Sequence, residues 1–430
     1  MNSVGIDFGT SNSAAAVPGT GDEPARVLAI DQSAADARLL RSVLFFPEGS
    51  TEILAGTAAI DSYLKDFEGR FLQSIKTFLP STAFTYTEIR RKTWKLEQLI
   101  AVLLTKIRES VEHQLQSKLG HVVFGRPAVF SPETEKDALA QERLAQAAEL
   151  AGFPKPVFVI EPIAAALRYE ESLARDEVVL VGDFGAGTSD FTLMQLGPSR
   201  RHALARRADV IASSGVYVGG DKFDAAIVEH SLLSMFGAGS TYSTLFKRTE
   251  LPHWMTRKLL AWNELSMLRE KSNLDFLRNA VKTSDKPREL QNLVTLAEEN
   301  LPFHLYRVVE EAKRNLSDEL KADISFHEAD IDLDTSVTRK EFEKWTEPLR
   351  AELLRAVERC LAKAENRMPD AVFLTGGTSK IPSVREAFAK RFGESRLREG
   401  DAFTSVAAGL GRAAGLVASG GDAIGRGEVG

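Results

Sequence analysis

The chain has one cysteine, Cys360, in 430 residues, which excludes an internal disulfide framework and fits a reducing compartment. No apolar run approaches the roughly 20 residues of a membrane span, and the N-terminus "MNSVGIDFG" has no basic, then apolar, signal-peptide pattern. Neither charge predominates: 54 Lys and Arg stand against 60 Asp and Glu, net -6, which leaves no electrostatic footprint for nucleic acid. No Gly-Lys dipeptide occurs, so a Walker A loop is excluded. The seven histidines include no His-Glu-x-x-His and the lone cysteine offers no zinc cluster, and Gly-x-Ser-x-Gly is missing, which removes the usual α/β-hydrolase elbow. The expectation is a cytoplasmic protein without nucleic-acid or membrane partners. At this length two domains or lobes are expected.

What is there is material for an α/β fold. Apolar residues make up 43% of the chain. Short Val-, Ile- and Phe-rich runs at 4–7, 122–125, 157–160, 178–181 and 371–374 read as buried strands alternating with helical patterns. A helix is expected over 132–151, capped by Ser131, with Pro132 first and Gly152 at its end. Another spans 95–115, where Leu96, Leu99, Ile100, Leu103, Leu104, Ile107 and Val111 make one face. Residues 235–305 read as polar and helical, with Trp254, Trp262 and Phe276 as anchors. Residues 418–430 lack apolar content and are expected to be disordered. "GLGRAA" at 409–414 matches a dinucleotide fingerprint but lies too near the end to open a βαβ unit, so it is set aside.

Two stretches share a design. "SVGIDFGTSNSAAAV" (3–17) and "VVLVGDFGAGTSDFTLMQL" (178–196) each run from a strand into Asp-Phe-Gly and then, within a few residues, Thr-Ser. Glycines let backbone N–H groups approach phosphate oxygens, and Thr10, Ser11, Thr188 and Ser189 add hydroxyls. Asp7 and Asp183 end the strands, and a carboxylate there suits phosphate only with hydrated Mg²⁺ between them. The plain alternative is two ordinary Asp-Gly turns. Their partial repetition points to duplicated lobes sharing one nucleotide. A third glycine turn, Gly376-Gly377 in "AVFLTGGTSKIPSVREAF", follows the last strand. On its own it reads as a tight βα turn.

Taken in order, "GIDFGTSNS", "FGRPAVFSPE", "VIEPIAAALRYE", "VGDFGAGTSDFTL", "GGDKFD", "EEAKRNLS", "VTRKEFE" and "FLTGGTSKIPSVRE" resemble the nucleotide-binding part of the seventy-kilodalton heat-shock chaperones of the DnaK type, within the actin-like ATPase superfamily. The resemblance is closest to the short YegD-like members. It implies an α/β fold of two ribonuclease-H-like lobes around a nucleotide cleft, each with an accessory subdomain. Lobe I would span 1–175 (accessory part about 41–116) and lobe II 176–400 (accessory part about 226–316), with a helix at 401–417 returning to lobe I.

The resemblance also implies roles. Gly9, Thr10, Ser11 and Asn12 would hold the β- and γ-phosphates, with Gly185, Ala186 and Gly187 as the second phosphate loop. Asp7 and Asp183 would hold the Mg²⁺ water shell. Lys76 matches a lysine that contacts the γ-phosphate and positions the attacking water, Glu161 orients that water or the metal shell, and Thr188 lies close to the γ-phosphate. Pro127 matches a conformational-switch proline. Gly219 and Gly220 fall in a further nucleotide-facing turn. Glu310, Lys313, Arg314 and Ser317 share a helix face by spacing, a pattern that alone reads as a solvated stripe. Matched to the family, Glu310 and Lys313 would bond the ribose and Arg314 would stack on adenine. Gly376, Gly377, Thr378 and Lys380 would approach from the other side. ATP or ADP, Mg²⁺ and, as a further candidate cation, K⁺ are the implied cofactors.

The chain departs from the pattern in places. Ala186 replaces a glycine, Lys380 an arginine, and Phe403, aligned through "FTSVAAGLG", an aspartate. The expectation is a protein without the linker, peptide-binding domain and lid of full chaperones. The expected function is a slowly ATP-hydrolysing, nucleotide-gated switch whose output is supplied by an unidentified protein partner. A small-molecule kinase of the same fold, a filament-forming protein and a nucleotide sensor without hydrolysis stand as alternatives.

Overall fold

The computed structural model describes residues 2–21, 23–65, 68–201, 203, 206–244, 247–261, 268–299, 301–401 and 403–421. By contacts the chain groups into two units, Met1–Gly219 with Glu352–Lys380 and Val384–Gly430, and Gly220–Ala351 with Ile381–Ser383. Both large sheets belong to the first unit.

The two sheets follow one plan. In the first, Asn2–Phe8 runs antiparallel to Asn12–Val17 and parallel to Leu119–Arg126, which is parallel to Val157–Ile160. In the second, Glu177–Phe184 runs antiparallel to Ser189–Leu196 and parallel to Ala371–Thr375. Each sheet is thus built on a hairpin whose first strand also pairs in parallel on its other side. The near-continuous apolar runs of these strands are what a sheet covered on both faces requires. All five apolar runs read from the sequence lie in strands.

The helix Ser405–Ala418 is rich in small residues because it lies against backbone. A Cβ on Gly409 would stand 1.7 Å from the Ala164 carbonyl oxygen, and one on Gly5 would stand 2.1 Å from the Leu410 carbonyl carbon. Its "GLGRAA" is therefore a helix interior seated between the first strand and the helix Glu161–Glu170, and no dinucleotide turn. The far end of Glu161–Glu170 is pinned by charge. Fully buried Glu170 accepts from Arg206 at 2.7 and 2.9 Å and pairs with Arg412 at 2.9 Å, while Arg206 also binds Asp209 at 2.6 Å.

Of the expected helices, Leu96–Leu115 buries all seven residues of its proposed face. The other begins later than expected, as Thr134–Leu150. Ser131 does not cap it, since its hydroxyl accepts the Glu133 N–H two residues on and so closes a turn ahead of the helix. Gly152 does end it, with φ +82° and the Phe153 N–H returning to the Ala148 carbonyl.

The second unit contains the helices Gly220–Ile227, Lys271–Val281, Pro287–Glu298 and Pro302–Asp318 and the hairpin Lys321–Glu328 with Ile331–Thr338. Two expectations for 235–305 need correction. The region holds a hairpin, Thr241–Ser243 with Arg248–Glu250, as well as helices. Trp254 is no anchor: it is 46% exposed, because its neighbours Met255 and Leu259 take the inward positions of their turns. Phe276 packs edge-on against Tyr242, with ring centroids 5.4 Å apart. Trp262 and residues 422–430 lie outside the described residues, and the expected disordered tail is described only to Gly421. Among the described residues no helix is long and apolar enough to cross a membrane.

Candidate active site

The first hairpin turn is tightly built. A Cβ on Gly9 would lie 2.1 Å from the Asn12 carbonyl oxygen, so only glycine fits. Ser42 braces the turn from outside: its hydroxyl donates to the Gly9 carbonyl at 2.8 Å, and its N–H donates to the Ser11 carbonyl at 2.9 Å. Arg41 donates to the Asn12 side-chain oxygen at 3.3 Å. Thr10 and Ser11 are left half-buried at the tip. In the second turn the Gly185 N–H donates to the Thr188 carbonyl at 2.9 Å. Gly219 lies against Ala186, whose carbonyl oxygen a Cβ there would approach to 2.3 Å. A Cβ on Gly187 would meet nothing within 4 Å, so this glycine leaves space rather than filling it.

Next to these turns lies a concentration of negative charge. Lys76 sits in the short turn Ile75–Phe78, entered through Ser74 at φ +51°, and its ammonium binds Glu161 Oε1 at 2.8 Å. Glu161 opens its helix, where the dipole favours a carboxylate. Burial, then the Glu161 charge, push Asp7 up to about 7. Asp183 is driven well above the usual carboxylate range by burial and by Glu161, Asp7 and Asp190. Burial works to lower the Lys76 pKa, yet Glu161, Asp7 and Asp183 hold it above its ordinary value. No described residue donates a hydrogen bond to the side-chain carboxylate of Asp7 or Asp183. Carboxylates held this close without donors fit a hydrated divalent cation, since an uncompensated buried charge costs several kcal/mol.

Asp190 belongs to this cluster and was not singled out from the sequence. It is 3% exposed, accepts from the Thr188 hydroxyl at 3.3 Å and from the Ala128 N–H beside Pro127, and is pushed up to about 7 by burial and Glu161. In the ladder it stands directly opposite Asp183, where two like charges repel. The signal was present in the repeat. "DFGTSNSA" from Asp7 and "DFGAGTSD" from Asp183 have equal length, so Asp190 occupies the place of Ala14. A cleft of about 380 Å³ between Val129, Pro132 and Tyr217 opens onto Thr188 and Asp190.

The third glycine turn reaches the second hairpin. Gly376 has φ +88°, and a Cβ there would stand 2.2 Å from the Phe184 carbonyl oxygen. The Ser379 hydroxyl closes the turn by donating to the Gly376 carbonyl at 2.7 Å, and Thr378 is buried. Lys380 is paired with Glu399 at 3.1 Å on the surface. The half-exposed ring of Phe403 lies beside Gly377.

In the second unit the helix Pro302–Asp318 buries Leu305, Val309, Ala312 and Leu316, leaving Glu310, Lys313 and Ser317 half-buried and Arg314 exposed. Lys313 binds Asp224 at 2.7 Å and donates to the Gly220 carbonyl at 3.3 Å. Burial, then Asp224, push Asp221 up to about 7, and burial pushes Asp224 up to about 6 against the pull of Lys313. Asp221 and Asp224, both in "GGDKFD", also went unremarked in the sequence.

The family model for Hsp70 protein matches residues 3–244 and 274–423, leaving out 245–273 within the divergent helical region. Members of this family are ATP-binding chaperone-family ATPases of the actin-like fold, which the paired sheets and their hairpins reproduce. With a match over nearly its whole length, the chain belongs to the Hsp70 family.

Proposed function

We propose that this chain is a Mg²⁺-dependent ATPase that hydrolyses slowly, works as a nucleotide-gated switch in the cytoplasm, and acts through a protein partner. The observation that carries the reading is the equivalent placement of Asp7 and Asp183 beside the buried Lys76–Glu161 pair. The residues from Gly9 to Asn12 and from Gly185 to Thr188 offer N–H groups and hydroxyls to the phosphates. Asp7 and Asp183 are the groups that would hold the metal's water shell. Bound there, Mg²⁺ would neutralise charge building on the phosphate oxygens. Lys76, fixed by Glu161, places its ammonium on the γ-phosphate side and aligns the attacking water. Hydrolysis of this kind is largely positioning and electrostatics, so no covalent nucleophile is needed. Glu310 and Lys313 would take the ribose and Arg314 the adenine face, and Gly376, Gly377, Thr378 and Lys380 are further proposed nucleotide contacts.

The Thr188–Asp190 bond and the Ala128 N–H give the switch a physical route. Loss of the γ-phosphate changes what Thr188 touches, and Asp190 hands that change to the backbone next to Pro127. K⁺ is a second cation for the surplus negative charge of the cluster.

The test is single-turnover hydrolysis of labelled ATP with Mg²⁺ by wild type and Lys76→Ala, with nucleotide affinity measured in parallel. Wild-type turnover together with a variant that binds ATP but hydrolyses it at least a hundredfold more slowly supports the reading. Binding without hydrolysis in both makes the protein a sensor and removes the catalytic role of Lys76.

A further inference from the structure

We infer that Asp224 is the positioning residue that presents Lys313 to the ribose, making the site selective for ribonucleotides over 2′- and 3′-deoxy analogues. The inference rests on the nucleotide-binding reading above and concerns how that site recognises the sugar.

The geometry is that of a lysine with one donor to spare. An ammonium has three N–H donors. One of Lys313's goes to Asp224 Oδ2 at 2.7 Å and one to the Gly220 carbonyl at 3.3 Å, leaving a third without a partner among the described residues. Both anchors come from the helix Gly220–Ile227, where positions four apart lie on the same side. The carbonyl that opens the helix and the carboxylate one turn on therefore form a rigid two-point seat.

The pairing is also hard to exchange. The Asp224 side chain is 4% exposed and that of Lys313 17%. Among the described residues Asp224 Oδ1 is buried with no hydrogen-bond partner, while Oδ2 accepts from Lys313. A lysine side chain free in solvent samples many rotamers and binds a hydroxyl weakly. Seated in this way, the ammonium has fewer rotamers left to lose when its remaining N–H donates. A sugar hydroxyl can accept that donor, whereas a deoxy carbon leaves it unpaired. Glu310, one turn earlier on the same face as Lys313, can accept from the hydroxyl's own proton, so the pair can distinguish an OH from a CH₂.

The experiment measures equilibrium affinities of the full chain for ATP, 2′-deoxy-ATP and 3′-deoxy-ATP, in wild type and in Asp224→Asn. Wild type is expected to prefer ATP over at least one deoxy analogue by roughly ten- to a hundredfold, the worth of a hydrogen bond to a charged donor. In Asp224→Asn that ratio falls towards one, chiefly through weaker ATP binding, with deoxy affinity little changed. A role confined to stability would lower both affinities together and leave the ratio intact, and that result overturns the inference. So does a wild type that binds ATP without discriminating the sugar. Asp224→Glu keeps the charge pair if Asp224→Asn does not fold. It displaces the ammonium by about one C–C bond, ~1.5 Å, and an unchanged ratio in it is equally fatal. If wild type binds no adenine nucleotide at all, the functional reading itself falls, an outcome separate from loss of sugar selectivity.

Discussion

Replacing Asp190 by Asn is expected to stabilise the metal-free protein while impairing hydrolysis. Asp190 is 3% exposed, faces Asp183 across the ladder and is pushed from 3.8 up to about 7 by burial and by Glu161. A carboxyl with a raised folded-state pKa carries no penalty at pH values where it stays protonated both folded and unfolded. The penalty grows as pH rises above the unfolded value of 3.8 and is complete above the folded value near 7. At 1.36 kcal/mol per pH unit, the ionised group costs at most about 4 kcal/mol at pH 8. Asn keeps an acceptor for the Thr188 hydroxyl and the Ala128 N–H, but these bonds weaken by about 1 kcal/mol when the acceptor is neutral. The expected net gain at pH 8 is therefore roughly 1–3 kcal/mol, which should vanish or reverse slightly at pH 4. Thermal melts in chelator at both pH values, with single-turnover hydrolysis alongside, provide the assay. If Asp190→Asn destabilises equally at pH 8 and pH 4, the carboxylate is not held at a cost, and the charge-cluster argument fails.

Gly409→Ala should be among the most damaging changes outside the site, costing about 3 kcal/mol or more, because its methyl would fall 1.7 Å from the Ala164 carbonyl oxygen. Gly187→Ala should leave the melting temperature unchanged, since nothing lies within 4 Å, yet weaken ATP binding by occupying the phosphate side of the turn. Glu170→Ala leaves Arg206 and Arg412 without their shared carboxylate and should cost about 3–5 kcal/mol by denaturant melt. Replacing Glu170, Arg206, Asp209 and Arg412 together by leucine removes every member of the buried cluster and should recover much of that loss, and failure to recover any would mean the cluster is not chiefly a matter of charge pairing.

The parts of the fold that were legible are those set by local pattern. The strand runs and the face of Leu96–Leu115 were readable because burial imposes a period on the sequence. The three-residue strands of the hairpin at Thr241–Glu250 are too short to display one. Trp254 misled because aromatic size was taken as a sign of burial, while the turn direction that exposes it depends on where its short helix begins. Ser131 misled in another way: a serine before a proline suits either a helix cap or a turn, and only the backbone path selects between them.

The site divides along the same line. That Asp7 and Asp183 stand where a strand meets a glycine turn was readable, because the signature is contained in a few adjacent residues. Lys76 and Glu161 form one pair across 85 positions of sequence, and nothing local to either announces the other. Asp190 and Asp224 are harder still, because a carboxylate in a strand or on an amphipathic helix is an everyday residue until its neighbours are known. What marks them is a shortage of positive charge. Asp7, Glu161, Asp183 and Asp190 interact with one lysine, and Asp221, Asp224 and Glu310 gather around another. A whole-chain charge of -6 cannot reveal this, because surface lysines and arginines elsewhere balance the count without touching these groups. Local imbalance of this kind persists in a folded protein when something outside the chain completes it. Under the proposed function a hydrated divalent cation would complete the first cluster.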